Sequence, residues 1–109
     1  MSTTEEHTYR VLVRGRFTDL DDAGRARLLA EADRHDMLLT GFSEAGSLTY
    51  DRALDFFSFR VELRADGERP GCDRGKALAA RAVEDLGVDF RDMKASATDM
   101  DLIKIRRRR

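Results

Sequence analysis

The chain contains no asparagine, no glutamine and no tryptophan. Any mechanism that needs a side-chain amide or an indole is therefore excluded. Its single cysteine, Cys72, rules out an intrachain disulfide and a cysteine-based zinc cluster. The longest unbroken apolar run is Ala77 to Ala80, far short of the roughly 20 residues that span a membrane. Residues Met1 to Glu6 are polar and acidic, unlike a secretory signal, so a cytoplasmic protein without a membrane partner is expected.

What the chain has in excess is charge: 38% of its 109 residues are Asp, Glu, Lys or Arg, with a net of only -1. Bulk electrostatics then favour neither nucleic acid nor a membrane surface. The distribution is uneven. Of the 20 basic residues, five are Lys104 and Arg106 to Arg109, which leaves 15 against 21 acidic groups, a net of -6, in residues 1–103. The basic end reads as a solvated tail, or as one that adds salt-sensitive affinity for an acidic surface, such as the body of a neighbouring subunit. The length suits one domain, 1–109, with a polar arm at 1–6 and a tail at 99–109.

Tyr9, Val11 and Val13 alternate with Arg10, Leu12 and Arg14, predicting a half-buried strand that ends near Phe17. Thr18 or Asp19 offers an N-cap for a helix from Asp21 to His35, with Leu28, Leu29 and Ala32 as its apolar stripe and Gly24 packed on the sheet. Leu38 to Tyr50 reads as a second strand, bent at Gly41 and Gly46. Phe57, Phe59, Val61 and Leu63 mark the third. After a loop at Asp66 to Gly71, a helix is expected from Cys72 to Leu86, with apolar rows Leu78, Ala82, Leu86 and Ala79, Val83. Gly87 sits where a left-handed C-cap belongs. Met93, Ala95 and Ala97 mark the last strand. This order predicts an α+β, ferredoxin-like βαββαβ sandwich, its antiparallel sheet ordered 4-1-3-2 with two helices on one face.

The other sheet face is then charged with a basic bias. Arg10, Arg14, Arg60, Arg64 and Lys94 face Glu62 and Asp92. It reads as a solvated face with weak cross-strand ion pairs, as a platform for an anionic small molecule or acidic protein, or as a polar dimer interface. A sheet that stacks nucleic acid bases needs exposed aromatics, which this face lacks unless Phe42 or Phe56 points outward. His7 and His35 are the candidate general bases near neutral pH, and the predicted topology gathers them with Asp99 and Asp101. The same residues also read as a surface histidine and a helix-terminal one. Cys72, at the start of the expected second helix beside Arg74 and Lys76, occupies a setting that can lower a thiol pKa, but it has no evident base partner. No metal site and no cofactor are expected.

Gly71-Cys72-Asp73-Arg74-Gly75-Lys76 fails as a phosphate loop, having three residues between its glycines and Ala77 after the lysine. A helix N-terminus there could still hold an anion. Val13-Arg14-Gly15-Arg16-Phe17 resembles the end of the first strand in acylphosphatases. The acidic Asp19, Asp21 and Asp22 that follow would repel phosphate, and no asparagine is present to fill that family's catalytic role. Four longer stretches, His7 to Phe17, Gly46 to Leu54, Phe57 to Arg60 and Ala97 to Arg108, together resemble a family of short actinobacterial proteins known as a domain of unknown function. That resemblance implies no catalytic residue. The Arg- and Ala-rich, asparagine-free composition fits a GC-rich genome.

Two functional classes follow. The first is a non-enzymatic binding or interaction module, as a monomer or homodimer, for an anionic ligand or acidic partner. The second is a cofactor-free dimeric α/β-barrel enzyme, an oxygenase or cyclase acting on a small metabolite. The second requires an apolar cavity, either between sheets or beside Ala95 and Ala97 near Phe57, Phe59 and Tyr9. The charged face and the lack of a recognisable catalytic set favour the first.

Overall fold

Tyr9, Val11, Val13 and Phe17 point to one side of the first strand, β1 (His7–Thr18), and all are buried. The computed structural model describes residues 6–35 and 41–102. After β1 come helix α1 (Asp22–Ala30), a 3-10 turn (Ala32–His35), β2 (Ser47–Tyr50), β3 (Phe56–Ala65), α2 (Glu68–Asp85) and β4 (Asp89–Asp99). The four strands form one antiparallel sheet ordered β2-β3-β1-β4, the expected order read from the other edge. The central pair runs in register from His7 opposite Ala65 to Arg16 opposite Phe56.

One face of this sheet carries the core. Phe57, Leu28, Val11, Val13, Val61 and Val83 are fully enclosed, and burying such side chains is the main favourable term in folding. Helix α2 lies over it along a row of small residues, Gly71, Gly75, Ala79 and Val83. A methyl group added at Gly75 would sit 2.6 Å from Val11 Cγ1, so this helix packs closer than any row of larger residues allows. The expected row of Leu78, Ala82 and Leu86 is only partly buried at its margin. Helix α1 reaches the core through Leu28 alone, while Leu29 is 38% exposed. Its Gly24 approaches Val88 Cγ1 and not the sheet.

Several boundaries differ from the expectation, each for a local reason. Asp21 caps α1, its Oδ1 accepting the Gly24 N–H at 2.7 Å, while Asp19 turns the chain with a left-handed φ of 52°. Helix α2 starts at Glu68, four residues before Cys72. Pro70 falls in its first turn, where a missing N–H costs nothing. The described part of the second strand is four residues long. Residues 38–40 of the expected strand lie outside the described ones, and 41–46 form a loop that pairs back to β3 through the Glu62 N–H and the Ser43 carbonyl, 2.8 Å. Gly87 does take the left-handed conformation, φ 73°. After β4, a helical turn occupies 100–102. No described helix is long and apolar enough to cross a membrane.

Candidate functional site

The polar sheet face is built by the residues that alternate with the core. Where β1 meets β4 the ladder is irregular. Arg14 lies opposite Lys94, and the next pair is Arg16 opposite Arg91, so Asp92 and Met93 together oppose Gly15. This is a β-bulge, and Asp92 takes a left-handed φ of 56° within it. The bulge places two cation–cation pairs in succession across adjacent strands, an arrangement that destabilises a sheet.

Around it lies an open groove of about 380 Å³, lined by Arg14, Gly15, Arg16, Phe56, Asp92 and Lys94. Arg14 and Lys94 make no hydrogen bond or ion pair with any other described residue. Arg16 lies over the Phe56 ring, its guanidinium carbon 4.8 Å from the centroid, a cation–π contact. Phe56 stands 59% exposed beside it. The one carboxylate, Asp92, is 3.8 Å from the Arg91 guanidinium.

The remaining cations of this face are placed differently. Arg10 pairs with Glu62 at 3.2 Å. Arg64 donates to the Glu6 carbonyl at 2.8 Å and to the Thr8 hydroxyl at 3.3 Å. Arg10 and Arg60 both lie against Phe42, 5.4 and 5.9 Å from its centroid. Phe42 and Phe56 thus both stand on the polar face. Of the five basic residues picked from sequence, the structure brings Arg14 and Lys94 together at the groove, while Arg10, Arg60 and Arg64 lie elsewhere on the face. Sequence reasoning missed Arg16, Arg91 and Phe56 as neighbours. Alternation alone could have placed Arg16 and Phe56 on this face, but only the bulge sets Arg91 beside them.

At the other end of β1, His7 Nδ1 donates to Asp99 Oδ2 at 2.7 Å. Asp99 Oδ1 accepts the backbone N–H groups of Asp101 and Leu102, capping the helical turn there. Burial alone would raise the Asp99 pKa, but the His7 hydrogen bond and those two amides hold it below the usual carboxylate value. The Tyr9 pKa is raised, first by burial and then by the nearby Asp99 carboxylate. One ligand atom each of His7, Asp99 and Asp101 lies within 4.8 Å of the others. Both oxygens of Asp99 are already engaged, so the arrangement fastens the end of β4 to the start of β1.

His35 does not join this cluster. It sits at the opposite edge of the sheet, its Nδ1 2.7 Å from the Leu48 carbonyl and its ring stacked on Tyr50 at 5.0 Å. The expectation that four residues gather fails because β2 and β4 are the two outer strands. The setting of Cys72 is the reverse of the expected one. Burial pushes its thiol pKa up, Glu68 adds to that, and Lys76 only partly opposes it. Because α2 begins at Glu68, Cys72, Arg74 and Lys76 lie inside the helix, so no helix N-terminus is presented at Gly71 to Lys76. Ala95 and Ala97 pack against the core on the face that α2 covers.

A model for a family of unknown function (DUF6204) matches residues 1–109. No curated protein and no solved structure matches the chain.

Proposed function

The chain belongs to this family of unknown function, and from the geometry of its polar sheet face we propose that it is a small non-enzymatic binding module. Its ligand is anionic and sits in the groove at the β1–β4 bulge. The observation that carries this reading is the succession of like-charge pairs, Arg14 with Lys94 and Arg16 with Arg91. A sheet gains from opposite charges across strands and loses from like ones. Such a local contradiction is what a functional site looks like when a ligand supplies the missing charge. Both histidines lie away from the groove and are engaged elsewhere, which supports binding over acid–base catalysis. The charged groove likewise supports the module over a barrel enzyme with an apolar cavity. To the same proposal belong the ferredoxin-like class, supported by element and strand order, and a cytoplasmic, actinobacterial setting, supported by composition.

The test is Lys94→Glu. It converts a repulsive pair with Arg14 into an attractive one and takes a cation from the groove. The variant is expected to be more stable than wild type by about 0.2–1 kcal/mol. Phosphate and pyrophosphate should raise the melting temperature of wild type through preferential binding to the folded state, and leave the variant unmoved. A less stable variant that still responds to phosphate sinks the proposal.

A further inference from the structure

The groove is larger and chemically more varied than a simple anion needs, and its other residues indicate the rest of the ligand. Building on the anion reading above, we propose that the ligand carries its phosphate or carboxylate on a flat ring, in a small molecule about the size of a mononucleotide.

Three observations converge on this. Phe56 is 59% exposed, more than any other large apolar side chain among the described residues, and it forms a wall of the groove. Arg16 stacks over its ring at 4.8 Å, so guanidinium and phenyl present a flat, rigid surface. Such surfaces hold planar rings with little sequence or substituent preference. The volume, about 380 Å³, falls in the range of small-ligand sites and exceeds what an inorganic anion fills. Asp92 is the third clue. An ionised carboxylate accepts hydrogen bonds and donates none, and it repels a bare anion. Beside Arg14 and Lys94 it suits a ligand that also carries N–H or O–H donors, as a base or a sugar does. The roles divide accordingly: Arg14 and Lys94 hold the anion, Phe56 with Arg16 holds the ring, and Asp92 accepts from its donors.

Calorimetric titration of the full chain with inorganic phosphate, adenosine, adenosine monophosphate and benzoate tests this. Adenosine monophosphate should bind about tenfold tighter than phosphate, a difference in keeping with one ring stacked on an aromatic side chain. Adenosine alone should bind weakly. Phe56→Ala, an exposed position whose truncation leaves the core intact, should remove the tenfold advantage and leave phosphate binding unchanged. The double variant Arg14→Ala/Lys94→Ala should lose both ligands. Benzoate binding tighter than adenosine monophosphate would assign the ring-borne anion to a carboxylate. If phosphate binds but neither ring-bearing anion gains, or if Phe56→Ala changes nothing, the ring assignment is overturned while the anion site stands. If no anion binds at all, both readings fall together.

Discussion

Gly15 joins the groove to the core, and replacing it with alanine tests how tightly the two are coupled. A Cβ at this position would lie 2.8 Å from Phe57 Cε2 and 3.3 Å from Cε1. Phe57 is 1% exposed and held by Phe17 and Phe90, at centroid distances of 5.3 and 6.3 Å. Its ring therefore has little freedom to retreat. In an unencumbered strand, alanine would be better than glycine by about 0.5–1 kcal/mol. Overpacking a close-packed core costs about 1–3 kcal/mol. The second effect is larger, so Gly15→Ala is expected to lose about 1–2 kcal/mol, or roughly 5–10 °C in melting temperature. Urea titration followed by far-ultraviolet circular dichroism measures it. Phe57→Leu removes the opposing ring atoms and costs stability alone. The double variant should recover at least about 1 kcal/mol relative to the sum of the single changes. A Gly15→Ala protein as stable as wild type would show that Phe57 has room to move, and the packing argument would be wrong.

Other consequences concern buried polar groups. The Tyr50 hydroxyl donates to the Leu28 carbonyl at 2.7 Å, an acceptor that also receives the Glu31 N–H at 3.3 Å. Because that carbonyl keeps a partner, Tyr50→Phe should cost only about 1 kcal/mol in urea titration. Burial, and then Glu31, pushes the Tyr50 pKa up to about 12. The folded state thus favours the neutral phenol. The resulting stability is whole below the ordinary value of 10.0 and is lost as pH rises towards about 12. Ultraviolet absorbance should show no Tyr50 phenolate in folded protein at pH 10. Asp99 works in the opposite sense. Its lowered pKa gives stability that is present above the ordinary value of 3.8 and is lost as pH falls through the folded value. Asp99→Asn keeps the helix cap and should flatten that acid limb of the stability curve; an unchanged limb would remove Asp99 from the account.

The sheet was legible because alternation is a direct imprint of burial. Tyr9 to Val13 and Phe57 to Leu63 could only face one way, and both strands stand as read. Helix α2 was harder to delimit, because Pro70 reads as a loop residue until its place in the first turn is known. Its contact row was legible only in its second half, Ala79 and Val83. Gly71 and Gly75 carry little hydrophobic signal, yet spacing by four on one face is the mark of close approach. The groove was half legible. Arg14 and Lys94 follow from alternation, but their confrontation depends on cross-strand register, and Arg91 enters only through a bulge that no residue type announces. Phe56 was left open between the two faces; because adjacent strand residues face opposite sides, the buried Phe57 beside it sends Phe56 outward.

The bulge itself yields the sharpest remaining test. Asp92 holds a left-handed φ of 56°, a conformation that costs an L-residue about 1 kcal/mol and glycine nothing. Its ion pair with Arg91, both side chains exposed, is worth little in return. On conformational grounds alone, glycine is the better residue, and Asp92→Gly should raise stability by up to about 1 kcal/mol in a thermal melt, less a few tenths for the cations it leaves facing one another. The groove then determines how binding responds. Removing one negative charge from beside a bound anion is worth up to about 1 kcal/mol in water, so phosphate affinity should rise by up to about fivefold. Affinity for adenosine monophosphate should gain less or fall, because the acceptor for its donor groups is gone. If Asp92→Gly instead destabilises the protein by more than about 1 kcal/mol, the carboxylate is holding the bulge together. The like-charge pairs would then be balanced within the sheet, and a ligand would no longer be needed to explain them.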